Sequence, residues 1–165
     1  MPLLEDGRLR PDPWASVDDD VPLPDGPVIL GLEQLRREAP ALARRNAPIG
    51  LALPPETAPA EVAPLLGLLS LVALRLPKAK DGRAFTQARA LREYHGFTGE
   101  IRATGHVIPD HYAMLLRCGV STVEVPEGAD PAVWDACRRV VDIGYQAALS
   151  ADAPLSLLRR RLRVA

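Results

Sequence analysis

LVALRLPKAKDGRAFTQARALREYHGFTGEIRATGHVIPDHYAMLLRCG, residues 71–119, is the stretch whose reading decides the fold. It opens with LVALRLP (71–77), an apolar run of the length expected for a buried strand. A polar turn follows. Residues 82–95 then put Ala84, Ala88, Leu91 and His95 on one stripe with Arg89, Arg92 and Glu93 opposite, which is the helical period. Gly96 is a helix stop, GEIRATG (99–105) a second strand, and Asp110 after Pro109 is placed to cap a helix over 111–118 that Gly119 ends. The stretch therefore reads as a βαβα unit. It carries eight basic residues against four acidic ones, in a chain whose net charge is −1.

The same alternation extends outward. Upstream lie PVILGL (27–32) as a strand, a helix through Leu35, Ala39 and Leu42 that Pro40 should kink or delay, and APIGLALP (47–54) as the next strand. A helix through Val62, Leu65, Leu66 and Leu69 follows, with Thr57 or its successors as cap. Downstream, STVEVPE (121–127) is a fifth strand, and Asp130-Pro131 caps and opens a final helix through Trp134, Cys137 and Val141. Five strands alternating with five helices predict an α/β fold of repeated βα units on a parallel sheet. Periodicity leaves two forms open, an open doubly wound sheet and an incomplete β/α barrel, five units being too few for a full eightfold barrel. At the N-terminus, Asp6-Gly7 between short apolar runs predicts a small hairpin over about 1–10 with a type I′ turn. Residues 11–27 hold five prolines and Asp18, Asp19 and Asp20, and read as extended chain crossing the surface. The division expected is one domain over 1–150 and a basic tail over 151–165 containing Arg159, Arg160, Arg161 and Arg163.

A chain of 165 residues suits a single core, which Leu, Val and Ala must supply because only 4% of residues are aromatic. No apolar run approaches the ~20 residues of a membrane helix, and MPLLEDGRLR lacks a signal-peptide core. Two cysteines, Cys118 and Cys137, form no disulfide framework. These features set a cytoplasmic location as the expectation. A net charge near zero speaks against a surface devoted to nucleic acid.

In parallel α/β folds ligands collect beyond the carboxyl ends of the strands. The turn after LVALRLP is the best-equipped such place. Lys78 and Lys80 approach a helix N-terminus, Asp81 is positioned to cap it, Gly82 permits close backbone approach, and Arg83 and Gln87 lie one helical turn apart. An oxyanion is the ligand this chemistry expects. His106, Asp110, His111 and Cys118 lack a tight metal-binding spacing, so no metal site is assigned. No nucleophile elbow, phosphate-binding glycine loop or dinucleotide fingerprint is present, which leaves the cofactor unknown and catalysis undecided.

The central DGRAFTQARALRE, preceded by LPK and followed by G-x-x-GEIRA-x-G and L-x-RCG, resembles a bacterial family, domain of unknown function 934. LLEDGRL, RNAPIGLALP and Gly144-Tyr145-Gln146 extend the resemblance over roughly residues 1–147. Among the family-like positions are Lys78, Asp81, Gly82, Arg83, Gln87, Arg89, Arg92, Arg102, Asp110 and Cys118, whereas His106 and His111 depart from the pattern. Members are often labelled oxidoreductases, and their genes commonly lie beside those of sulfite reductase and of adenylyl-sulfate or phosphoadenylyl-sulfate reductase. The resemblance thus implies an accessory protein of assimilatory sulfate or sulfite reduction, with sulfite reductase or another sulfur-assimilation enzyme as partner. An oxidoreductase with an unidentified soluble cofactor is the alternative it implies. The ligand set expected is Lys78, Lys80, Asp81, Gly82, Arg83, Gln87, Arg89, Arg102 and Asp110, and homo-oligomerisation is left open.

Overall fold

The computed structural model describes residues 1–19, 21–140 and 148–149. The tail over 151–165 lies outside the described residues. Leu3–Glu5 (β1) and Arg8–Arg10 (β2) form the antiparallel hairpin that Asp6-Gly7 predicts, with Leu4 opposite Leu9. Both turn residues have positive φ, 48° and 74°, as a type I′ turn demands.

Six further strands follow: Ala15–Ser16 (β3), Val28–Leu30 (β4), Ile49–Leu53 (β5), Leu71–Leu76 (β6), Glu100–Gly105 (β7) and Thr122–Glu124 (β8). They pair in parallel, each with the next, and β8 also takes β1 antiparallel. The eight-stranded order is β2-β1-β8-β7-β6-β5-β4-β3. This order settles the form left open by periodicity. A doubly wound sheet reverses direction partway and covers both faces with helices. Here every parallel strand joins on the same side of its predecessor, so right-handed crossovers all fall on one face, and the sheet curls into half a barrel.

The covering helices are Leu32–Leu42 (α1), Pro59–Val62 (α2), Arg83–Glu93 (α3), Tyr112–Arg117 (α4) and Pro131–Arg139 (α5). The βα repetition is uneven. In the second unit α2 is one turn running into a 3-10 helix over Ala63–Leu68, and α4 is preceded by a 3-10 turn over Pro109–His111. Two local expectations change, at Pro40 and Asp110. Pro40 does not delay α1; it sits in the last turn. The cap of α2 falls just after Thr57, at Ala58, within the expected stretch, and Glu61 Oε1 accepts from the Ala58 amide at 2.9 Å. Asp110 lies inside the 3-10 turn and makes no side-chain capping bond. The α5 start is as expected, with Asp130 Oδ1 accepting from the Ala132 amide at 2.9 Å ahead of Pro131.

Strand alternation sorts the core. Val72, Leu74 and Leu76 of β6, Ile101 and Ala103 of β7, and Val123 of β8 face the helices and join Ala88, Leu91, Leu115 and Trp134 in one apolar cluster. The opposite, concave face is filled differently. The proline-rich segment crosses it and sets Trp14 against Ile29, Leu71 and Ala73. Gly50 makes room for that ring: a Cβ there would stand 3.3 Å from Trp14 Cζ3. At the amino ends of the strands, half-buried Arg92 ties α3 to its surroundings, donating to the carbonyls of Gly119 (3.0 Å), Phe97 (2.5 Å) and Gly99 (2.8 Å) and to Ser121 Oγ (3.1 Å). Gly119, at φ 93°, holds its backbone against that side chain, where a Cβ would approach Arg92 Cγ to 2.6 Å. Among the described residues no helix is long and apolar enough to cross a membrane.

Candidate functional site

The carboxyl ends of β5 and β6 border a cavity of about 450 Å³, with Pro54, Pro55 and Glu56 on one side and Arg75, Pro77 and Arg83 on the other. Alternation produces it. Arg75 occupies a concave-face position on β6, one residue before the strand ends, so its cation stands at the rim rather than under the helices. Prolines at 54, 55 and 77 end the strands and hold the rim backbone in restricted conformations.

The turn from β6 to α3 closes on itself, the Asp81 amide donating to the Lys78 carbonyl at 2.9 Å. Gly82 is the N-cap residue and has open space where a Cβ would be. Asp81 stands one residue before the cap and still serves the helix, accepting from the Arg83 amide at 3.2 Å. The same carboxylate binds the Arg83 guanidinium, with Oδ2 at 2.6 Å from Nη2 and Oδ1 at 3.0 Å from Nε. Hydrogen bonds from the Arg83 side chain, then from its backbone, lower the Asp81 pKa from 3.8 to about 2. The Arg83 pKa is raised by the same partner. Asp81 thus fixes the direction of Arg83 while leaving that side chain half exposed. Lys78 and Lys80 are exposed, and among the described residues neither they nor Arg75 have an ion-pair partner.

Lys78, Lys80, Asp81, Gly82 and Arg83 are therefore brought together on one turn; the other expected residues are not. Gln87 is buried, and its Nε2 donates to the carbonyls of Pro54 (2.8 Å) and Thr57 (2.9 Å), pinning the rim loop to α3. Arg89 is engaged with Glu93 one turn further along, Nη2 to Oε1 at 2.6 Å. Arg102 points from β7 into the concave face, where it meets Asp12 and Glu100. Asp110 belongs to the next rim loop, beside His111, whose ring meets the Phe85 ring edge-on at 5.6 Å. Arg75 and Glu56 were absent from the expected ligand set. A charged residue near the end of an otherwise apolar parallel strand was the available signal for Arg75; nothing in the sequence pointed to Glu56.

Among the described residues no three His, Cys, Asp or Glu side chains gather as a metal would require. Cys118 is buried at the end of α4, and burial pushes its thiol pKa up, away from the reactive thiolate.

Fold and rim together define a parallel α/β half-barrel with a cationic pocket at the carboxyl ends of its central strands. Residues 50–156 match the family described as bacterial protein of unknown function (DUF934), and the chain belongs to that family. The match begins in β5 and so takes in both sides of the rim pocket, while the hairpin and the Trp14 segment precede it. No curated protein matches the chain.

Proposed function

We propose that the rim between β5 and β6 binds an oxyanion, and that through it the protein acts in the cytoplasm as an accessory component of assimilatory sulfate or sulfite reduction. The bound group is sulfate or sulfite itself, or an acidic group of a partner reductase. The observation that supports this most directly is the convergence of Arg75 and Arg83 on one cavity. Arg75 offers a forked guanidinium, and Arg83 the Nη1 that Asp81 does not engage, to a tetrahedral or pyramidal oxyanion. Lys78 and Lys80 on the adjoining turn add attraction that salt screens. Asp81 holds one guanidinium in place, so less ordering is needed on binding.

Calorimetric titration of the full chain with sulfite and sulfate at low ionic strength tests the reading. The expected result is a one-site isotherm that Arg75→Ala and Arg83→Ala each weaken by about 10-fold or more, the size of a lost charged hydrogen bond. Absence of any isotherm, or one indifferent to both arginines, overturns the rim as an oxyanion site. Normal growth on sulfate of a strain lacking the gene overturns the role in sulfur assimilation separately.

A further inference from the structure

A second cavity, of about 340 Å³, lies on the concave face and shares no lining residue with the rim pocket. Leu3 of the hairpin with Pro11, Pro13 and Trp14 of the crossing segment make its apolar lining, and Glu100, Arg102 and Thr122 make a polar side. Glu5 and Arg10 also line it and are paired with each other at 3.0 Å.

The polar side is built into the sheet. Arg102 is 2% exposed, yet it carries a full charge. Its Nη1 donates to Asp12 Oδ2 at 2.8 Å and its Nε to Glu100 Oε1 at 3.0 Å. Thr122 donates to the same Glu100 oxygen at 2.5 Å. Nη2 is fully buried and lies 2.9 Å from Glu100 Oε1, but it makes no hydrogen bond there. A buried guanidinium with unmet donors is costly, and such groups usually meet a partner. Glu100 shows the converse. Among the described residues every contact it makes is at Oε1, which leaves Oε2 as an acceptor on a side chain one quarter exposed. A donor and an acceptor on two residues that line one cavity with an indole suit a planar molecule with an amide edge.

We propose that this cavity binds a flat arene or heterocycle bearing a carboxamide or lactam. The carbonyl meets the Arg102 guanidinium, the N–H meets Glu100 Oε2, and the ring lies against Trp14. The volume suits a one- or two-ring ligand. Arg10 is already paired with Glu5, so a purely anionic ligand would still face Glu100, and a purely cationic one would leave Arg102 unmet. The amide edge satisfies both.

Three probes of one size separate these cases: benzamide, benzoate and benzamidine. They are titrated into the nitrogen-15-labelled full chain while the two indole N–H signals are followed. Trp134, buried among the helices, is the internal reference for Trp14. Benzamide should move the Trp14 signal and leave Trp134 still, at the millimolar strength usual for so small a ligand. Benzoate and benzamidine should bind about 10-fold more weakly, each losing one of the paired hydrogen bonds. Glu100→Gln should cost benzamide a similar factor, and in Trp14→Leu ligand-observed saturation transfer should vanish. Equal response to the three probes, no response to benzamide, or a shift at Trp134 overturns the proposal. The probe ranking on the unsubstituted chain decides it even where a variant does not fold.

Discussion

The two faces of the half-barrel are made by the same strands and are solved in different ways. On β6, Val72, Leu74 and Leu76 enter the helix-covered cluster, while Leu71, Ala73 and Arg75 point the other way. On β7 the contrast is sharper, with Ile101 and Ala103 against Glu100, Arg102 and Thr104. A full barrel fills its interior with layers from opposing strands. Half a barrel has no opposing strands, and this chain substitutes a proline-rich segment carrying one indole. That plug packs on Ile29 of β4 and on Leu71 and Ala73 of β6. Over β7 and β8 the inward residues are polar, tied to one another, and left beside a cavity. The convex face is therefore where stability is concentrated, and the concave face and its rim are where chemistry is available.

The largest effect that can break this contrast lies on the convex side. Leu74 is fully buried between strand neighbours and helices. Leu74→Ala should cost about 2–5 kcal/mol, the range for a leucine removed from a closed core. For a domain of this size that lowers the melting temperature by roughly 10 °C. The inward Ala52 on β5 is exposed, and Ala52→Ser should stay within about 0.5 kcal/mol. Denaturant unfolding of both variants checks the pair. Equal losses would show that the concave face is as tightly packed as the other.

A smaller loss is expected at Arg102. Arg102→Met leaves Asp12 and Glu100 without their cation. Removing one member of a buried ion pair typically costs about 3–5 kcal/mol. Here the two carboxylates keep side-chain exposures of 23% and 25% and regain water, so about 2 kcal/mol is expected. Adding Asp12→Asn and Glu100→Gln should restore most of it. Failure of the triple variant to recover would show that Arg102 acts through packing of its stem rather than through charge.

This division was only half legible in the sequence. The hairpin and the start of α5 could be read because each rests on adjacent residues, Asp6-Gly7 and Asp130-Pro131, whose backbone preferences are local. The parallel strands and their helices could be read from period and length. Strand order could not, since a buried strand looks the same whichever neighbour it takes, and so half-barrel and doubly wound sheet stayed level. β3 was missed because it is two residues long in a segment whose prolines announce a loop. Trp14 was passed over for the same reason. Lys78 to Arg83 were legible as a cluster because a turn brings them together; Arg102 was grouped with them by resemblance, and one of its two partners, Asp12, lies 90 residues away. Long-range pairing on a concave face has no local signature.

The smallest expected effect joins two rim loops and concerns pH. His111 packs its ring against Phe85 at the start of α3, and its Nδ1 is buried without a hydrogen-bond partner among the described residues. Burial pushes its pKa below the ordinary 6.5, against the opposite pull of Asp110 and the Ala79 carbonyl. The unfolded chain therefore binds the proton more readily than the folded one. Stability from this residue is complete above about pH 6.5 and falls as pH drops toward the depressed value, with a slope of at most about 1.4 kcal/mol per pH unit for one proton. His111→Phe keeps an aromatic edge against Phe85 and removes the titration. The difference in unfolding free energy between wild type and variant should be flat above pH 7 and should shift in favour of the variant from about pH 6.5 downward. The Asp81–Arg83 pair enters only later. Asp81 is protonated from 3.8 in the unfolded chain but not until about 2 in the folded one, so its contribution is lost below pH 4. A flat difference curve, with both proteins losing stability only below pH 4, would place the pH sensitivity of the rim in that carboxylate and not in the histidine.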